Sequence, residues 1–368
     1  MTKDGVDRYA QAGVDYKTLD EAKRIAQHAA SATSHIALRR GTEITDASRG
    51  EPAIVLHVGG QSLGFVLECL GTKSLIARDY EELSGIDRFD AIGYDTVAAI
   101  VNDCCCVGAL PFVVNAYFAT GSASFYEGTR SASLINGFSR GCADAGAAWG
   151  GGESPTLSGL VAADAIDLAG AAIGIVPNGC EPILGDSIAP GDEVVLVASS
   201  GLHANGASLV RALVGDLPDG LLTTLPSGRV LADAVLDESL IYVPLVERLL
   251  EQRLPLHYAS HITGHGLRKL MRARAKVTYR IDALLPVPEV LSFLAAIANM
   301  TPKESYGTFN MGCGYALIVG SGAGNAAVEL AGGLGLRSLV AGAVESGPRR
   351  VLLEPLGVSF EGEELELR

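Results

Sequence analysis

The stretch Gly93 to Gly121, GYDTVAAIVNDCCCVGALPFVVNAYFATG, constrains the fold more than any other part of the chain. Its first half is small or branched apolar residues, which predicts a buried helix with Asp95 near its start. Gly108 and Pro111 end that helix, since glycine closes helices and proline cannot continue them. Phe112 to Ala119 is short, β-branched and aromatic, and predicts a strand. Asn102-Asp103 interrupts the apolar run. An unpaired buried carboxylate is costly, so either this pair lies on the wet side of the helix or it has some polar partner.

The chain has 368 residues, 48% hydrophobic and 19% charged, with 45 glycines. That suits a core-rich protein with many tight loops, in two ordinary domains or one large α/β domain. A formal net charge of -14 argues against nucleic acid or an anionic membrane as the main partner. A phosphate ligand stays open, because it needs only local donors or a metal. Seven cysteines, with no CxxC pair, read as reduced small hydrophobes, which places the protein in a reducing cytoplasm. Cys104, Cys105 and Cys106 are adjacent on a helix and point in different directions, so they cannot share one ion. The opening MTKDGVDRYAQAGVDY has no apolar core and is not expected to be a signal peptide. The longest uncharged run, Cys104 to Tyr126, contains Pro111 and Asn115, so a soluble protein with no membrane helix is expected.

Residues 18 to 33 carry a helical pattern, with Ala22, Ile25, Ala26 and Ala29 on one face and Thr18 as cap. Strands follow at Ala53 to Val58 and Leu63 to Glu68, joined by the turn Gly59-Gly60-Gln61-Ser62. An acid at a strand end, then Gly71-Thr72-Lys73, suits a phosphate-and-metal corner. A helix from about Thr129 to Ala147 leads into Trp149-Gly150-Gly151-Gly152-Glu153-Ser154. Three glycines mark a close backbone approach or positive φ. Glu153 is then either a metal ligand held against phosphates or part of a plain connecting loop. Ala162 to Val176 predicts a strand entered through Asp164 and Asp167. Turn residues after it place a domain boundary between 1–177 and 178–368.

Asp192 to Ala198 opens a new strand that runs into Ser199-Ser200-Gly201-Leu202-His203-Ala204-Asn205-Gly206 and a helix, ASLVRALV. Strand, small-residue loop and helix N-terminus present free amides and a positive dipole end to an anion. Asn205 is placed to cap that helix. His203 either adds a donor or merely caps and packs. GxxxxGK[ST] and GxGxxG are both missing. A helix is expected near Glu238 to Gln252. Arg268, Lys269, Arg272 and Arg274 read as a solvated basic face rather than a substrate site. His257, His261 and His265 lack the HExxH or acid partner of a zinc site. Thr308-Phe309-Asn310-Met311-Gly312-Cys313-Gly314 leads into a strand from Tyr315 to Val319, and no repeat recurs.

The ordered set resembles the aminoimidazole ribonucleotide synthetase family, the phosphoribosylformylglycinamidine cyclo-ligases, within a wider superfamily of ATP-dependent enzymes. It starts at Tyr9 and Ala12-Gly13-Val14-Asp15. It continues through GYDTVAAIVND, AYFATG, GGES, IDLAG around Asp167, SSGLHANGASLVR, HITGHG and YGTFNMGCG. The resemblance implies an α+β fold: an N-terminal α+β domain forming a β-barrel across a homodimer, and a C-terminal α/β sandwich. It implies ATP and Mg2+, and a ring closure in which ATP phosphorylates the formyl amide oxygen before an amidine nitrogen displaces phosphate. It implies Glu68, Asp95, Glu153 and Asp167 on the metal, and Asp95, His203 and Lys73 as catalytic groups. The nucleotide falls to Gly71, Thr72, Lys73, Asn102, Asp103, Gly151 and Gly152. Ser199, Ser200, Gly201, His203, Asn205, Gly206, Thr263 and Gly264 would hold the ribonucleotide. The family writes Asp-Gly-Val-Gly-Thr-Lys where this chain has Glu68-Cys69-Leu70-Gly71-Thr72-Lys73. Thr45 to Pro52 replaces its glycine-rich loop, and His265 replaces a glycine. These departures keep two alternatives open: a kinase or amide-activating paralogue with another substrate, and a non-catalytic phosphometabolite-binding dimer.

Overall fold

A computed structural model describes residues 16–365. The segment that opens the family resemblance, 9–15, lies outside them, as does most of the N-terminal stretch judged for a signal peptide. The chain builds two sheets. The first half contributes β1 (Thr42–Ile44), β2 (Ile54–Val58), β3 (Gln61–Cys69), β4 (Leu110–Thr120), β5 (Ala148–Glu153) and β6 (Ile166–Ile175), in the order β1-β2-β3-β6-β4-β5. The second half contributes β7 (Glu193–Ala198), β8 (Leu256–His261), β9 (Val277–Ile281), β10 (Cys313–Val319), β11 (Ser338–Ser346), β12 (Arg350–Leu353) and β13 (Val358–Glu361), in the order β13-β12-β9-β11-β7-β10-β8. Among the described residues no helix is long and apolar enough to cross a membrane.

Helices α1 (Tyr16–Ala37), α2 (Lys73–Ser84), α3 (Phe89–Cys105) and α4 (Arg130–Asp144) belong to the first half, and α5 (Ala207–Val214) opens the second. Thr18 lies inside α1 rather than capping it. The helix's apolar face is open, with Ile25 67% exposed, because nothing among the described residues covers it. Helix α3 is enclosed, as its all-round apolar sequence requires: every residue from Ala91 to Ala109 is buried. It crosses α4 at two glycines. A Cβ on Gly93 would sit 2.1 Å from the Leu134 carbonyl oxygen, and one on Gly137 1.8 Å from that of Asp90.

The β2–β3 hairpin is antiparallel and turns on Gly59 and Gly60, both at positive φ. The Trp149 to Glu153 stretch is not a loop. It is edge strand β5, parallel to β4, and Gly152 is required there because a Cβ would lie 2.1 Å from the Ala116 carbonyl oxygen. The strand expected from Ala162 begins only at Ile166, leaving Asp164 in the preceding turn. One face of the first sheet packs on α2 and α3; the other carries Ile54, Phe65, Ile173 and Val113 in one cross-strand row. On that face Phe65 is 41% and Leu67 70% exposed.

Candidate active site

The two halves meet along the C-terminal part of α3, where the Asn102-Asp103 question is settled. Both residues are buried and both have partners from the second half. The Asn102 amide donates to the Leu240 carbonyl and accepts from the Tyr242 backbone, each at 2.8 Å. Asp103 Oδ1 lies 2.7 Å from His261 Nδ1 at the end of β8. Such long-range pairing is what lets an apolar helix carry these side chains.

Two turns earlier on α3, Asp95 forms an ion pair with Lys73, with both side chains 0% exposed. The second Asp95 oxygen accepts the Ser239 N–H at 2.7 Å. Both groups are thus satisfied by protein. Lys73 does not face open space where nucleotide phosphates could reach it, and neither oxygen of Asp95 is left for a metal, unlike the roles the resemblance implied. Glu153 and Asp167 are exposed on β5 and β6, and Glu68 is half-buried at the end of β3. Among the described residues no three His, Cys, Asp or Glu side chains gather as a metal site. The four carboxylates therefore do not fit magnesium within one chain.

Glu68 faces a cluster drawn from both halves. Burial and the neighbouring Asp103 carboxylate push its carboxyl up to about 7. Across from it is Lys269, in the 3-10 turn Gly266–Arg272, which replaces the expected solvated basic face. Only Arg274 and Lys276 near this turn are exposed; Lys269 is 5% exposed. Its ammonium donates to the His261 carbonyl at 3.2 Å and to the Thr263 hydroxyl. Burial, then nearby Arg272, push it down to about 8. Gly264 is half-buried beside Thr263. His265 takes the left-handed conformation at φ 72 where the family writes glycine, and burial beside Arg268, Lys269 and Arg272 holds its imidazole down to about 3.

The loop after β7 is tied down by groups far away in sequence. Ser199 donates to Asn310 Oδ1 at 2.9 Å, and Ser200 donates to the Glu238 carbonyl at 2.5 Å. The Asn310 amide donates to the Gly201 carbonyl at 2.8 Å. His203 is 1% exposed, and its Nε2 accepts the Ser200 N–H at 3.1 Å. The proton therefore sits on Nδ1, which is buried without a partner. Burial keeps the ring neutral, so His203 turns inward instead of offering a charged donor to an anion. Asn205 does not cap α5: the cap is Gly206 at φ 94, with no side-chain bond. At the mouth of that helix the Ser208 hydroxyl lies 2.9 Å from that of Thr72, next to Gly71. The strand-end corner and the helix N-terminus, far apart in sequence, thus share one seam, while Gly151 and Gly152 stay exposed on β5.

Asn310, Glu238 and Lys269 were not singled out as site residues by the sequence. Asn310 had a signal, the FNMGCG motif. Lys269 is flanked by Leu267 and Leu270, both buried, but a helical period hides that pattern, whereas a 3-10 turn stacks every third residue.

Residues 50–176 match the family model described as AIR synthase related protein, N-terminal domain, and residues 189–353 match that of the C-terminal domain. The phosphoribosylformylglycinamidine cyclo-ligase of Alkaliphilus oremlandii is 34% identical over 309 residues, 82% of this chain and 84% of its own. That of Anaeromyxobacter sp. (strain K) is 38% identical over 282 residues, 76% of this chain and 79% of its own. Hydrogenase maturation protein HypE in complex with ATP superimposes with a TM-score of 0.59 at 18% identity, covering 83% of this chain and 85% of that one. Thiamine monophosphate kinase from Aquifex aeolicus does so with 0.55 at 16%, covering 82% and 90%. These two likenesses are of fold.

Proposed function

Because the chain belongs to the AIR synthase related family, we propose that this enzyme is an ATP-dependent cyclo-ligase. It would convert formylglycinamidine ribonucleotide to aminoimidazole ribonucleotide, ADP and phosphate, a step of purine biosynthesis in the cytoplasm. The observation that carries this reading is the seam itself. Gly71-Thr72 from the first half and the N-terminus of α5 from the second meet through the Thr72–Ser208 contact, giving amide donors and a positive dipole end where two phosphorylated ligands must approach each other.

In this reading ATP lies toward Gly71 and Thr72, while Asn102 and Asp103, bonded to the second half, hold the wall behind it. The ribonucleotide lies on the 199–206 loop with Thr263 and Gly264. Phosphorylation turns the formyl oxygen into a leaving group, the amidine nitrogen attacks the same carbon, and phosphate departs with that oxygen. His261 donates Nδ1–H to Asp103, which orients the ring with Nε2 as acceptor for the proton the nitrogen loses. Magnesium belongs to the proposal as the ion ATP brings, and would shield the triphosphate. The uncovered apolar face of the first sheet, with Phe65 and Leu67 open, supports a homodimer in which a second copy closes the barrel. The division at 177/178 is proposed as the domain boundary.

A second reading, transfer of phosphate to another acceptor, is favoured by Glu68-Cys69 and by the buried Lys269 beside them. Phosphate release from ATP with formylglycinamidine ribonucleotide as acceptor tests the choice. Release that requires this acceptor supports the cyclo-ligase. ATP bound but never turned over with it overturns that assignment.

A further inference from the structure

Two cations on the seam have no counterpart in the roles assigned so far. Lys269 is buried, yet its ammonium bonds only neutral oxygens, those of His261 and Thr263. Arg272 lies three residues on, along the same turn, and its Nε is buried without a hydrogen-bond partner. Neither forms an ion pair with a carboxylate among the described residues. A buried charge costs several kcal/mol unless an opposite charge or enough hydrogen bonds compensate it. Asp103 and Glu68 offset part of the Lys269 charge through space, but the Asp103 carboxylate bonds His261 at 2.7 Å rather than either cation. Glu68 lies further off than an ion pair. The seam therefore holds two cations with hydrogen-bond donors to spare, in the same chain whose four expected metal carboxylates fail to gather.

We propose that Lys269 and Arg272 form an anion subsite on the seam, shaped to hold a phosphoryl group. The guanidinium offers a planar fork that matches a phosphoryl group bidentately, and the ammonium adds a point charge with one N–H uncommitted. His265, held neutral beside them, closes the same side without adding repulsion to an incoming anion. The phosphoryl group could belong to the nucleotide or to the phosphorylated acceptor, and the chemistry of recognition is the same. This inference rests on the seam being the active site.

The test is calorimetric binding of two probes, ATP and ribose 5-phosphate, to the full-length protein and to Lys269→Met and Arg272→Gln. Losing a hydrogen bond to a charged group weakens binding by roughly tenfold to a hundredfold. A loss of that size for ATP alone places the triphosphate there, and a loss for ribose 5-phosphate alone places the acceptor's phosphate there. Both outcomes support the subsite, and Lys269→Arg should restore most of the lost affinity. Unchanged affinity for both probes in a folded Arg272→Gln protein overturns it, leaving the cations as structural charges. Binding is read without turnover, so failure of the cyclo-ligase assignment would leave this result standing.

Discussion

The Lys73–Asp95 pair offers the sharpest separation of a structural role from a catalytic one. Both side chains are 0% exposed, and Asp95 also accepts the Ser239 N–H, so the pair joins α2 and α3 to the second half. Replacing Lys73 with Met leaves a buried carboxylate without its cation. Replacing Asp95 with Leu leaves a buried ammonium. Each loss should cost about 3–5 kcal/mol. The double variant Lys73→Met/Asp95→Leu removes both charges and leaves chiefly the Ser239 N–H short of an acceptor, a cost of about 1–3 kcal/mol. The double variant should therefore be more stable than either single one, which simple addition of losses forbids. Urea unfolding followed by circular dichroism reads this directly. Single variants with the stability of the original protein but no ATP turnover would refute the reasoning, because both groups would then have to swing out toward ligand.

Three further outcomes follow from the same geometry. His265 is neutral in the folded protein, its pKa down at about 3, so its contribution is present above the unfolded value near 6.5 and is lost as pH falls below that. Between pH 7 and pH 5 this is about 2 kcal/mol, and His265→Gln should flatten the fall in unfolding free energy by that much; an unchanged slope contradicts it. Leu67→Lys, on the open sheet face, should convert a dimer to a monomer in light scattering, while a protein already monomeric at micromolar concentration defeats the dimer proposal. Asn310→Ala unties the 199–206 loop, so it should cost about 1–3 kcal/mol and raise the KM for the ribonucleotide more than that for ATP; equal effects on both would separate the loop from the ribonucleotide.

Much of the fold was legible because local signals agreed with each other. The stop at Gly108 and Pro111, the strand after it and the glycine hairpin at 59–60 are all set by residues within a few positions. The site was less legible because its contacts span the chain. Asn102 and Asp103 were marked as anomalous, but their partners at 240–242 and 261 could not be read from spacing. His203 was found, yet only the Ser200 N–H on Nε2 shows that it faces inward. Asn205 was a sound cap by residue type, but Gly206 takes the left-handed conformation first. Lys269 sat in a basic run that resembles a wet helix face until the turn proves tighter than an α-helix.

The central claim, ring closure through a phosphorylated amide, is tested most directly by following the formyl oxygen. Formylglycinamidine ribonucleotide carrying heavy oxygen at that position is incubated with ATP and the protein, and the released phosphate is analysed by mass spectrometry. Transfer of the label into phosphate, one for each aminoimidazole ribonucleotide formed, is the predicted result. Unlabelled phosphate, with the label kept in the ribonucleotide, would contradict the account.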